Sequence, residues 1–408
     1  MSLTALPRHA DRAGRWAAIA LGASIPVSVA FDNLLLLVVL AGWILGGQWA
    51  DKRAAMRNAV AVCALLLFGL LALGTLWGNQ PVADARTYLL KYLDLAFIPL
   101  FAYFFREAGT RRIGLWALAG SLLVTLLLSF LIKFGVIERG TLIEGTTLSP
   151  VVFKFRITHN LFMAFAAFLF ALMALEARIN RDRAAWGMLA LLAAANVTLM
   201  VEGATGYVVL GLLALLLILS RLPRHIAVVA VIALGAVSAI LVTMPGPLSQ
   251  RVTMLSAQIR DWTPEKAVRD SSAGFRLEFY RNTTGIIVDH PLTGVGTGGF
   301  PAAYAKRVQG TAMVPTRNPH NEYLHIAAQI GLIGLAAMLA LFAVQWRMAA
   351  RLPTRLESDL ARGLVVTIAA GCLFNSFLLD HAEGLFFAWM TGLLYAGLKS
   401  SDSVAVMR

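Results

Sequence analysis

Long apolar runs alternate with short basic turns as far as residue 244, give way to mixed polar sequence over 245–319, and resume until about residue 398. Runs of this length match the hydrocarbon thickness that an α-helix must cross, and a helix satisfies all its own backbone groups there. The pattern predicts an all-α, polytopic helical membrane protein with about twelve spans, near 15–30, 32–48, 58–77, 88–105, 112–133, 159–177, 184–202, 204–220, 225–243, 320–345, 360–379 and 382–398. Three regions follow: 1–244 with helices one to nine, the long loop 245–319 containing helices of its own, and 320–408 with the last three helices and a tail. In a chain otherwise compatible with lipid, nearly every group able to do chemistry sits in that loop or at its junctions.

Composition agrees, with 59% hydrophobic and 14% charged residues and a mean hydropathy of +0.73. The net charge of +13 does not require nucleic acid, because its distribution reports topology. Every second connection is basic: Arg8, Arg12 and Arg15; Lys52, Arg53 and Arg57; Arg106, Arg111 and Arg112; Arg178, Arg181 and Arg183; Arg221 and Arg224; Arg347, Arg351 and Arg355; then Lys399. The positive-inside rule places these turns and both termini in the cytoplasm, so the long loop faces outward. The first apolar run lacks a small-residue cleavage site and reads as an uncleaved helix. Cys63 and Cys372 both fall inside apolar runs and imply neither disulfide nor metal framework.

The loop nevertheless carries an excess of cations, from Arg251 and Arg260 through Lys266, Arg269, Arg276 and Arg281 to Lys306, Arg307 and Arg317. That excess fits an anionic ligand, lipid headgroups or a solvated face. A smaller outer segment, about 134–158, holds Glu138, Arg139, Glu144, Lys154 and Arg156 and ends in KFRITHN, which contains His159.

Within the loop, SSAGFRLEFYRNTTGIIVDHPL reads as a helix capped by Ser271 or Ser272 and stopped by Pro291. Arg276 shares a face with Tyr280, Thr283 and Ile287, whereas Arg281 points about 140° away. The same helix can simply rest on the bilayer with snorkelling arginines. The glycines of DHPLTGVGTGGF can form an anion nest, but match no nucleotide-binding fingerprint, and a flexible turn is the simpler expectation. In TRNPHNEYLHIAAQIGLIGL, Asn318 serves as N-cap and Pro319 as first helical residue, placing His320 in the opening turn of the tenth span. A helix N-terminus favours a neutral imidazole, as a general base requires, though a capping role explains the residue equally. His325 reads as structural, paired with Glu322 at i, i+3.

Together, FRLEFYRNT, DHPLTGVGTGGF, NPHNEYLHIAAQIGLIGL and NSFLLDHAEGLFF resemble the O-antigen ligase and O-antigen polymerase superfamily of bacterial inner-membrane glycosyltransferases. The resemblance implies a glycan donor linked to undecaprenyl diphosphate, a lipid A-core acceptor, and metal-independent, cofactor-free inverting transfer at the periplasmic face. It implies diphosphate binding by Arg276 and a catalytic role for His320, whose family glycine partner matches Gly331. A family arginine at the outer end of a middle span is replaced by Ala204, and Arg156 is the candidate to complete the phosphate site.

Arg281, His159, Glu322 and His381 are further substrate-binding candidates, with Glu322, Asp380 or His381 available to orient His320. No close carboxylate pair on the outer segments suits a divalent metal, and arginines can stabilise the leaving diphosphate instead. O-antigen polymerase and protein O-oligosaccharyltransferase remain alternatives. A transporter would carry charges at midplane, where this chain has little beyond Asp94.

Overall fold

The computed structural model describes residues 6–398 apart from 79, 139, 141–144 and 264–271. Arg139, Glu144, Lys266, Arg269, Lys399 and the proposed cap Ser271 lie outside the described residues. The chain is helical, with an isolated bridge between Thr146 and Ser149 and no strand among the described residues. Its helices are α1 (Leu6–Ser24), α2 (Val29–Leu45), α3 (Trp49–Met56), α4 (Ala59–Leu73), α5 (Val82–Lys91), α6 (Asp94–Phe104), α7 (Ala108–Lys133), α8 (Arg156–Glu176) and α9 (Asn180–Ala195). There follow α10 (Ala204–Arg221), α11 (Arg224–Thr243), α12 (Pro247–Arg260), α13 (Ser272–Asp289), α14 (Phe300–Val308), α15 (Glu322–Ala349), α16 (Arg355–Gly371) and α17 (His381–Tyr395).

The protein is a polytopic helical membrane protein. Among the described residues, eight helical segments are long and apolar enough to cross a bilayer, or nine if α2 and α3, bent by 118°, are counted as one span. Twelve are not reached by this measure. The first half of α1 is charged, α16 opens with RLESDLAR, and α17 has only 15 residues.

The core centres on α8, whose Phe162, Phe165 and Phe170 are buried, and on α17, whose Trp389 donates to the Ala18 carbonyl at 2.7 Å. Lipid is as apolar as leucine, so close packing rather than burial from water holds such helices together. Small residues permit it: a Cβ on Gly42 would lie 2.8 Å from the α1 backbone at Gly14. At the end where the basic turns lie, several arginines meet carboxylates, as in Arg111–Glu357 (2.8 Å) and Arg221–Glu176 (3.0 Å).

At the opposite, loop-bearing end, α15 is broken. Ile330 leaves the helical region and Gly331 has φ 69°. A break at membrane depth needs other partners for the freed backbone groups. The glycine-rich loop supplies them: Val295 N donates to Ala328 O (2.9 Å), Gly296 N to Gln329 O (2.9 Å), and Leu332 N to Pro291 O (2.8 Å). Gly298 N donates to the Gln329 side chain (2.9 Å) and Thr297 N to Gly74 O (2.8 Å). The expected flexible turn is therefore a plug wedged into the helix break, with these N–H groups committed to protein and withdrawn from any anion nest. Gly331 is required by the contact, since a Cβ there would sit 2.0 Å from Leu292 O.

Candidate functional site

Helix α15 starts three residues later than the sequence suggests. Its N-cap is Asn321, whose side chain accepts from Leu324 N at 3.0 Å, and the first helical residue is Glu322. The reason is His320, the single non-glycine residue with positive φ (56°) among the described residues. Left-handed backbone costs a residue with a Cβ about 1–2 kcal/mol, so something must hold it. Asn318 Oδ1 accepts from His320 N at 2.8 Å, and the Tyr280 hydroxyl donates to His320 O at 3.2 Å. The imidazole lies against the Phe279 ring, with centroids 6.2 Å apart and planes at 26°.

The ring's orientation is set by the loop 372–380. His320 Nδ1 lies 3.0 Å from Asn375 Oδ1, and Asn375 Nδ2 donates to Asp380 Oδ2 at 2.9 Å. An ionised carboxylate only accepts, so Asp380 fixes which way the Asn375 amide faces; the amide oxygen then requires a proton on Nδ1. Nε2 keeps its lone pair and has no hydrogen-bond partner among the described residues. Burial pushes the Asp380 carboxyl up from the usual range, while Lys91 and the hydrogen bond from Asn375 draw it back down. Further bonds dock the loop: Ser376 Oγ donates to Asn318 Oδ1 (2.8 Å) and Asn321 Nδ2 to Leu373 O (3.1 Å), while the single Tyr280 hydroxyl proton is shared between His320 O and Leu373 O (3.0 Å).

Glu322 stands next to this histidine without touching its ring. Fully buried, it accepts from Tyr92 OH (2.7 Å) and Leu378 N (3.0 Å), while its own N–H donates to Cys372 O (2.8 Å). The expected Glu322–His325 pair does not form because those donors claim the carboxylate. His325 instead packs edge-on to Tyr88 (5.7 Å) and Phe300 (5.2 Å), with neither ring nitrogen hydrogen-bonded.

Arg276 lies half-buried on α13, one turn before Tyr280. Among the described residues it has neither an ion pair nor a hydrogen bond. Burial lowers its pKa from the usual guanidinium value; Tyr280 opposes that shift and Arg251 adds to it. Arg251, on α12, contacts Ser272 Oγ (3.3 Å) and Met254 Sδ (3.6 Å) and no carboxylate among the described residues. Two neighbouring guanidinium groups thus lack acidic partners there. Arg156 opens α8 and lies 3.8 Å from Glu202, two residues before Ala204.

The remaining candidates stand apart. Arg281 is on the exposed side of α13. His159 is buried in the bundle, 3.1 Å from Asn196, which in turn donates to Ser129 Oγ at 2.7 Å beside the π-turn Asn196–Met200. His381 Nε2 lies 3.5 Å from the fully buried Asp32 of α2. Asp380, its neighbour, is the residue that reaches His320 through Asn375. Among the described residues no three His, Cys, Asp or Glu side chains converge as metal ligands.

Residues 187–339 match the family model described as O-antigen ligase. Over this stretch, a little over a third of its length, the chain is similar to that family. No curated protein matches the chain. The matched stretch takes in Ala204, Arg251, Arg276, Arg281, His320, Glu322 and Gly331, while Arg156, His159, Asn375, Asp380 and His381 lie outside it. The family carries out glycan transfer of the O-antigen ligase or polymerase type on lipid-linked polysaccharides. Sequence reasoning gave no role to Asn375, although it opens the NSFLLDHAEGLFF stretch, and gave Arg251 no special place among the loop cations. The signal available for Asn375 was a polar Asn-Ser pair interrupting an otherwise apolar run.

Proposed function

We propose that this protein is an O-antigen ligase, transferring a glycan from undecaprenyl diphosphate to a sugar hydroxyl of lipid A-core at the periplasmic face of the inner membrane. What carries the reading is the fixed imidazole: the Asp380–Asn375–His320 relay leaves Nε2 as the open, basic nitrogen. Arg276 supports it from one turn before Tyr280, whose hydroxyl bonds the His320 carbonyl. The basic turns at the other end support a cytoplasmic side there, by the positive-inside rule, and hence a periplasmic site.

In the reaction, Arg276 and Arg251, with Arg156 at the neighbouring helix end, hold the diphosphate by charge-assisted bonds. His320 Nε2 takes the proton of the acceptor hydroxyl as its oxygen attacks the anomeric carbon. The anomeric C–O bond to phosphate breaks on the opposite face, inverting the configuration, and undecaprenyl diphosphate departs with the electron pair. The arginines stabilise the charge that collects on the leaving group, the largest electrostatic demand of the step. Glu322 holds the 372–380 loop and shapes the site from behind.

The test is transfer by the purified protein supplied with undecaprenyl-diphosphate glycan and either lipid A-core or a second donor molecule. Glycan appearing on lipid A-core is the expected result; chain extension on the second donor instead would select the polymerase. His320→Ala should abolish transfer and leave donor affinity within about threefold, because a base touches the acceptor and a lost base costs about 10²–10⁴ in rate. Near-normal turnover by that variant would remove His320 from the chemistry.

A further inference from the structure

One buried group of charges on the loop-bearing side takes no part in the mechanism above. Asp32 is fully buried in the first turn of α2, where Oδ1 accepts from Ser24 Oγ at 2.6 Å. Its second oxygen, Oδ2, has no hydrogen bond among the described residues, and neither has His381 Nε2, 3.5 Å away at the start of α17. Asp94 of α6 closes the group from another side: a Cβ on Gly384 would lie 3.1 Å from Asp94 Oδ2. Lys154, just before α8, faces both Asp32 and Glu383 with a buried ammonium that has no hydrogen bond among the described residues.

Carboxylates gather here because two helices begin here. The N-termini of α2 and α17 both present free N–H groups and partial positive charge, which a carboxylate lying between them offsets. Asp380 occupies the N-cap position of α17, a place where aspartate ordinarily accepts from its own helix. It makes no such bond. Its carboxylate turns instead to Asn375 Nδ2 at 2.9 Å. The first turn of α17 is therefore held from outside, by Asp32 through His381 and by Asp94 against Gly384.

We propose that Asp32 and His381 are positioning residues for the transfer reaction, seating the first turn of α17 so that Asp380 faces Asn375 and, through it, His320. The inference rests on the catalytic reading above. An ionised carboxylate only accepts, so His381 directs an Nε2–H at Asp32 Oδ2. Asp32 is anchored in turn by Ser24, and α2 packs along α1. The partner of His381 is thus fixed, whereas the loop 372–380 has no helix of its own to hold it. Removing His381 leaves a wholly buried carboxylate oxygen without a partner, which costs more than the contact itself contributes. The first turn of α17 then shifts, or Asp380 swings back to cap it. In both cases Asn375 loses the acceptor that orients its amide.

The test uses the full-length protein in nanodiscs with undecaprenyl-diphosphate glycan and lipid A-core. His381→Ala removes a side chain that is 32% exposed and leaves the packed core untouched. It should lower kcat by roughly three- to tenfold and leave KM for donor and acceptor within about twofold, since His381 touches neither substrate. His381→Gln carries an amide N–H to the place of Nε2–H and should recover kcat to within about twofold of the parent. Asp32→Ala should lose a similar factor to His381→Ala. The double variant Asp32→Ala/His381→Ala should be no slower than either single, because the orphaned carboxylate is gone.

A contact that merely stabilised the bundle would act independently of the relay. Adding His381→Ala to Asn375→Ala should instead cost less than about twofold more, because Asp380 no longer has an amide to orient. Parent-like kcat in His381→Ala, a loss carried by KM, no recovery in His381→Gln, or full multiplication with Asn375→Ala overturns the inference. Near-normal turnover by His320→Ala would remove the catalytic reading and this inference with it; an inactive His320→Ala beside a parent-like His381→Ala would remove the positioning pair alone.

Discussion

Asn375 offers the sharpest test of the proposed chemistry, because it reaches the reaction only through His320. Asn375→Ala deletes the 3.0 Å contact to Nδ1 and the 2.9 Å contact to Asp380 together. A neutral hydrogen bond of this kind contributes about 0.5–1.5 kcal/mol, or roughly two- to tenfold in rate if it is needed to reach the transition state. The freed ring also divides between its two neutral tautomers, and only one presents a basic Nε2, which adds about twofold. The expected loss is therefore about four- to twentyfold in the single-turnover rate at saturating donor, far short of losing the base itself. Donor affinity should stay within about twofold, since no argued diphosphate contact is touched. Asp380→Ala should cost a similar factor; it removes no helix cap, because Asp380 makes no side-chain capping bond to α17. Combining the two should cost little more than either alone, a coupling of at least about 0.5 kcal/mol. Strict additivity, or an Asn375→Ala variant within twofold of the parent, would refute the relay.

Arg276→Lys should lower donor affinity and turnover by about tenfold or more, since one ammonium cannot reproduce the guanidinium fork; unchanged binding and turnover would reduce Arg276 to a snorkelling cation. Transfer should persist in excess chelator, because arginines carry the leaving-group charge, and loss with rescue by magnesium or manganese would overturn that account. Gly331→Ala should destabilise by about 1–3 kcal/mol and lower the midpoint of thermal unfolding, as its Cβ would meet Leu292 O at 2.0 Å; an unchanged midpoint would show that the break relaxes freely. Ala204→Arg places a further cation near Arg156 and should tighten diphosphate binding about tenfold, the scale of one charge-assisted contact. No gain in a titration would mean that the existing arginines already saturate the diphosphate.

The helical membrane architecture was legible because the bilayer imposes a length and composition that soluble cores do not. The break in α15 was not. AAQIGLIGL reads as continuous apolar helix, and Gly331 looks like any small packing residue. What stabilises the break is the backbone of 291–296, some forty positions earlier, and backbone bonds leave almost no mark on side-chain patterning. The same loop read as flexible because its glycines were weighed alone; their positive φ values, 66° at Gly294 and 89° at Gly296, instead let its N–H groups meet the carbonyls α15 gives up.

Arg276 and His320 stood out for the opposite reason: they are polar groups in segments where lipid or loop alone would not demand them. Asn375 stayed hidden because the sequence placed it within a span over 360–379. In the structure α16 ends at Gly371, and Phe377, Leu378 and Leu379 remain buried while the backbone is no longer a membrane helix. Apolar residues that pack a re-entering loop against the bundle are indistinguishable in hydropathy from residues that face lipid. Glu322 shows the complement of that ambiguity. An acid in a helix's first turn suits the dipole and predicts an ion pair at i, i+3, yet here the carboxylate accepts the Leu378 N–H and fastens the loop that orients His320. Local rules therefore failed around the proposed catalytic base, at a left-handed histidine, a displaced helix start and a shortened span, and those three departures are what bring Asn375 and Asp380 to the imidazole.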